Sequence, residues 1–262
     1  MSGPKFVLGV VVTALVGFGV PKLAGYLENE AADPVQVHAE FDRDAILDGS
    51  VASRGVTPVG VNSPQSLKAF STNYQESGDL VKVGVQGFKV VIGSVGDSDL
   101  TITDMRAVVV KRTPVLAGSL FFITAQGEKN IQLAFELSSP NPVAREVSQR
   151  GPKPTDLGIG DAYFESDHVT VGPHHNKVFQ LVAYPGRQTY EYKFRVKMVY
   201  NGKTLIRTIP AGDRTYRLSG YSRDYATGYQ WNGKPGLAGW SPIDVPRYCA
   251  SKDALCGHAS SQ

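Results

Sequence analysis

Apolar and polar residues change rhythm along the chain. Residues 6–20, FVLGVVVTALVGFGV, run fifteen positions without a charge. With Leu23, Ala24, Gly25, Tyr26 and Leu27 beyond Pro21 and Lys22, the apolar stretch reaches about 22 residues, against the roughly 20 that a helix needs to cross a bilayer core of about 30 Å. Lys22 can extend its stem and set its ammonium among the headgroups. Residues 1–27 are therefore expected to be a transmembrane anchor. A basic start at Lys5 before an apolar run also fits a cleaved signal peptide, although no convincing A-x-A site precedes the acidic Glu28 and Glu30. With so short a polar start, the simpler orientation keeps the N-terminus cytoplasmic and translocates the longer C-terminal part. Gly9, Thr13 and Gly17 share one helical face, a possible packing face for a second helix.

Residues 28–79 show little periodicity. Val35, Val37, Ala39 and Phe41 alternate with Gln36, His38 and Glu40, which predicts one extracellular strand followed by a connector. From Leu80 period two takes over, and residues 80–220 read as a β-sandwich domain. Val81, Val83 and Val85 alternate with polar or small residues, and Phe88, Val90 and Ile92 resume after Gly87, where a bulge or bend is expected. Leu100 and Ile102 alternate, residues 107–110 read as a more fully buried run, and further apolar stretches fall at 120–123, 131–137 and 178–183. The clearest strand sets Tyr190, Tyr192, Phe194, Val196, Met198 and Tyr200 on one face and Glu191, Lys193, Arg195 and Lys197 on the other. It ends at Asn201 and Gly202, which suit a tight hairpin, with Leu205 and Ile209 returning on the apolar face. A two-residue turn sets Arg207 opposite Val196, so either that charge sits at a sheet edge or the loop is longer. About eight strands joined by turn-rich stretches, without long helical periods, predict a mainly β chain built as a single antiparallel β-sandwich.

Composition narrows the function classes more than it names one. At 42% apolar and 19% charged residues, the 262-residue chain is not a disordered protein, and two cysteines are too few for a disulfide-dense miniature. A net charge of +3 gives no ground for nucleic acid as a partner. The 28 glycines and 16 prolines fit strands joined by turns. Residues 221–262 form an aromatic-rich tail that carries both tryptophans and both cysteines. Cys249 and Cys256 are expected to form a disulfide if this part lies outside the cell.

Candidate chemistry is sparse. His174 and His175, near His168, read as a hairpin-loop turn, and no further ligand at a zinc spacing accompanies them. Asp97, Asp99 and Asp104 complete no calcium loop. Gly158, Ile159, Gly160 and Asp161 resemble a fragment of a dinucleotide loop without its strand-helix context. No G-x-S-x-G, G-x-x-x-x-G-K-[ST] or H-E-x-x-H motif occurs. No catalytic residue, cofactor or metal is expected. Lys193, Arg195 and Lys197, with Lys203 and Arg207 across the hairpin, make a basic line that is either a face for an anionic wall polymer or lipid headgroup, or simply solvated. The aromatic tail is expected to cover an apolar sheet edge or end, with cradling a sugar or resting at the membrane interface as the alternatives.

Residues 100–118, LTITDMRAVVVKRTPVLAG, together with LAFEL at 133–137, YFE at 163–165 and the strand 190–200, resemble a group of uncharacterised membrane-anchored extracellular β-domain proteins of Streptomyces-type actinobacteria. Those share a strand, a turn with Arg-x-Pro-x-x-x-Gly, a second strand and a late aromatic-basic strand, and the matching turn residues are Arg112, Pro114 and Gly118. The resemblance implies a single-pass protein with an outward β domain and brings no activity with it. The expectation is a cell-surface binding or structural module, not an enzyme. It is held in the bilayer by residues 6–27, with an envelope polymer or another membrane protein as partner. The alternatives are an envelope-acting hydrolase with an unrecognised site and a secreted form of the same domain.

Overall fold

The structure, a computed structural model, describes residues 33–41, 50–56, 79–122, 131–149, 157–232 and 239–251. Residues 1–27, with the expected anchor and the Gly9, Thr13 and Gly17 face, lie outside the described residues, and so does Cys256. Among the described residues no helix is long and apolar enough to cross a membrane.

Alternating apolar positions form two sheets, which makes the protein mainly β. The six-stranded sheet runs β1 (Val35–Phe41), β4 (Gln86–Ser94), β11 (Asn176–Tyr184), β7 (Leu133–Glu136), β8 (Arg145–Gln149) and β9 (Leu157–Ala162). The ten-stranded sheet runs β10 (Val169–Val171), β5 (Leu100–Pro114), β12 (Gln188–Tyr200), β14 (Tyr216–Ser219), β3 (Leu80–Val83), β2 (Val51–Ser53), β6 (Ser119–Phe122), β15 (Thr227–Asn232) and β16 (Gly239–Pro242). In that sheet β13 (Lys203–Ile209) also pairs with β12. Two short helices, α1 (Tyr163–Ser166) and α2 (Val245–Ser251), complete the described elements.

The main core draws on both sheets. Phe88 and Phe135 from the six-stranded sheet each place a ring 5.0 Å from that of Phe194 on β12. Ile102, Met105, Tyr192, Val196 and Met198 are fully buried beside them. Burying side chains of this size is the main stabilising term, at about 1.5–3 kcal/mol each. A second cluster of Ala52, Val81, Val83, Leu116, Leu120, Tyr225 and Val245 lies farther along the ten-stranded sheet. Residues of the aromatic tail belong to that part of the sheet: β15 pairs with β6, and Trp240 on β16 is fully buried against Phe121.

Several expectations change. The sheets are mixed rather than wholly antiparallel, because β7 and β11, β3 and β14, and β6 and β15 pair in parallel. The break after Val83 falls at Gly84 rather than Gly87. Gly84 has φ +84°, and a Cβ there would come within 2.7 Å of the Tyr221 ring. The chain changes sheets at this point, from β3 to β4. The run 107–110 is not uniformly buried, since Val108 and Val110 face solvent while Ala107 is buried. The turn holding His174 and His175 is no hairpin loop, because it joins β10 and β11, which lie in different sheets.

The β12–β13 hairpin forms as expected. Asn201 and Gly202, at φ 49° and 70°, close a two-residue turn between the paired Tyr200 and Lys203. Val196 does face Arg207, and the charge is accommodated because the described β13 pairs with β12 alone, at the sheet edge.

Candidate functional site

Side chains of alternate residues on a strand leave opposite faces, and partners in a ladder share one. With Tyr192, Phe194, Val196 and Met198 in the core, Lys193, Arg195 and Lys197 therefore occupy the outer face of β12. Lys193 is diverted there: its ammonium donates to the carbonyl of Gly212. Lys203 and Arg207 do not join this row. They pair with Tyr200 and Val196 and so lie on the opposite face, whereas Ile206 and Thr208 stand beside Lys197 and Arg195.

Residues from β5 take their place. The register runs Lys197 to Asp104 and Met198 to Ile102, which leaves Thr103 as an extra residue on β5. This bulge keeps Ile102 and Met105 in the core and turns Asp104 and Arg106 outward beside Lys197 and Arg195. On sequence Asp104 is weighed only as a calcium ligand, and neither side chain is placed on this face. Their signal was a slip in the apolar phase, three residues from Ile102 to Met105 instead of two.

The arrangement is electrostatically unbalanced. Arg195 and Arg106 are direct cross-strand partners, and like charges so placed oppose pairing. Asp104 relieves only one of them: its Oδ2 accepts from Arg106 Nε at 2.7 Å and lies 2.5 Å from the guanidinium NH2 nitrogen. Lys197 loses its facing acid to that contact. Among the described residues neither Arg195 nor Lys197 has an ion-pair partner.

Walls rise around this floor. Residues 142–144 run along β5, with Ala107 N donating to Pro142 O at 2.8 Å and Ala144 N to Met105 O at 2.9 Å. Tyr163 N donates to Ala144 O at 2.9 Å and seats α1, which brings Phe164 and Glu165 to the rim. Asn141 and Ile206 close the other sides. The result is an open cleft of about 470 Å³, within the range of small-molecule sites. Its cations can hold an oxyanion, and Asn141 can add an amide. Of the two carboxylates that line it, Asp104 and Glu165, Asp104 is engaged by Arg106.

The remaining sequence candidates do not converge here. His174 Nε2 lies 3.0 Å from Asp97 Oδ1 at an exposed turn, and His175 Nδ1 lies 2.8 Å from Pro173 O. Among the described residues no group of three metal-ligating side chains occurs. Gly158, Ile159 and Gly160 are part of strand β9, paired with β8. Cys249 falls in α2. Of the residues matched to the expected turn, Arg112 and Pro114 lie instead in strand β5, paired with β12, and Arg112 sits over the Tyr190 ring at 5.9 Å. Gly118 leaves no room for a side chain, since a Cβ would approach Gly55 O to 2.2 Å. Compared with known protein families and with curated proteins, the chain matches none.

Proposed function

We propose that the chain is a non-enzymatic binding module of the cell surface. Residues 6–27 hold it in the membrane with the N-terminus cytoplasmic, the β-sandwich and the tail with its Cys249–Cys256 disulfide lie outside, and the ligand is an anionic polymer of the cell envelope. This reading follows the resemblance to membrane-anchored proteins of Streptomyces-type actinobacteria. The observation that supports the ligand class is the pair Arg195 and Lys197, without acidic partners among the described residues, beside Arg106 in one open cleft. Setting Arg195 opposite Arg106, and Lys197 opposite an acid already held by Arg106, costs stability, and such local conflicts collect at functional sites.

The full chain in neutral detergent is expected to co-sediment with purified anionic wall polymer. Binding should fall at least tenfold for the Arg195→Gln, Lys197→Gln double variant and weaken steeply with salt. Retention that ignores both the substitutions and the salt would refute the cleft as the binding site. For placement, alkaline phosphatase fused after Gln262 is expected to be active in the envelope, and an inactive fusion would refute an outward domain.

A further inference from the structure

We infer that the cleft takes ligand units bearing a single negative charge together with hydroxyl groups, a carboxylated sugar or a polyol phosphodiester, and that Asp104 and Glu165 enforce the limit of one charge. This rests on the reading of the cleft as an anion site and narrows it.

Three cations, Arg106, Arg195 and Lys197, share the cleft with two carboxylates, Asp104 and Glu165, which leaves one positive charge. A first oxyanion resolves the imbalance between Arg195 and Lys197, the cations that Asp104 does not serve. A second negative charge on the same small ligand carries the sum of the cleft from zero to minus one and brings the ligand against the two carboxylates. Those carboxylates are acceptors, so hydroxyl groups are what they can hold. Phe164 on the rim and Ile206 on another side, the latter 53% exposed, offer apolar surface for the carbon skeleton of a sugar or polyol. An open cleft also lets the next unit of a polymer leave on either side.

The test uses the full chain in neutral detergent at pH 8 with three small probes, measured by calorimetry or by competition with bound polymer. Two are monoanions, methyl glucuronoside and the diester glycerophosphoglycerol; the third, glycerol 1-phosphate, is a dianion at this pH. At least one monoanion is expected to bind five times more tightly than the dianion or better, and the monoanion that does so identifies the source. Asp104→Asn and Glu165→Gln should each shift the preference toward the dianion by about five- to tenfold, as expected for removing one nearby charge in a half-screened site. Glu165→Gln leaves the Asp104–Arg106 contact in place, so it carries the test if Asp104→Asn fails to fold. Preference for the dianion in the unaltered protein, or a ratio unmoved by the substitutions, overturns the inference. Polymer binding that persists while all three probes fail also overturns it and spares the proposed function; loss of polymer binding as well removes both.

Discussion

Tyr192 is fully buried between the sheets, and its hydroxyl donates to Gln86 Oε1 at 2.7 Å. A polar pair in such a core is favourable only while both partners are present, because an orphaned buried group keeps its full desolvation cost. Tyr192→Phe and Gln86→Leu are each expected to destabilise the protein by about 1–3 kcal/mol in urea unfolding. The double variant should lose less than the sum by about 1 kcal/mol or more, because it removes both ends of the bond together. Strictly additive losses would mean that the hydrogen bond adds nothing to stability. The Asp104–Arg106 contact differs in kind: it lies on the outer face, where ion pairs stabilise little. Under the proposed function its consequence is for recognition, since it fixes one guanidinium and leaves Arg195 and Lys197 to meet an anion.

At the scale of elements, the bulge in β5 absorbs Thr103 and keeps the strand on either side of it in phase with β12. Removing Thr103 would restore continuous pairing, with Met198 still facing Ile102 and Lys197 still facing Asp104. Deletion of Thr103 is therefore expected to fold with a loss of no more than about 2 kcal/mol, while the relaxed twist weakens anion binding. Deleting Lys193 from β12 is a different operation, because it turns one part of an alternating strand inside out and should abolish cooperative unfolding. Equal tolerance of the two deletions would show that register does not govern this face. The same contrast explains how much could be read from the chain. β12 was legible because six apolar residues keep strict alternation up to a turn that tolerates positive φ, and the basic face follows from it. β5 was misread at 107–110 because the extra residues Thr103 and Val110 shift its phase twice. The far part of the ten-stranded sheet is assembled from β2, β3, β6 and β14, of only three or four residues each. Segments so short carry no measurable period, and their parallel and distant pairings are decided by tertiary packing. The cleft was half visible for this reason: Arg195 and Lys197 were legible from alternation, Asp104, Arg106 and the α1 rim were not.

For the whole molecule, the two sheets share a dependence on the protonation of tyrosine. Tyr190, Tyr192 and Tyr216 belong to the ten-stranded sheet, while Tyr184 flanks the Ala134 and Val182 cluster of the six-stranded one. Burial pushes all four hydroxyls upward. Tyr184 and Tyr216 reach about 12, with Glu136 adding to the rise at Tyr184 and Arg145 opposing it, and Arg214 opposing at Tyr216. Tyr192 rises well above the usual range for burial, and Tyr190 rises for burial with Arg112 opposing. An unfolded tyrosine releases its proton near pH 10. Between that pH and the folded values the native state holds more protons than the unfolded chain, so the stability these groups contribute is complete below about pH 10 and declines as the pH climbs. The urea midpoint is accordingly expected to fall from about pH 10 toward 12, with tyrosinate absorbance from the buried rings appearing only as the protein unfolds. Tyr184→Phe should make that decline shallower, since it removes one proton from the linkage without opening a large cavity. Ionisation of all twelve tyrosines near pH 10 in a protein that stays folded would contradict the burial of these rings and, through Tyr190, Tyr192 and Tyr216, the apposition of the two sheets that holds the floor of the cleft in place.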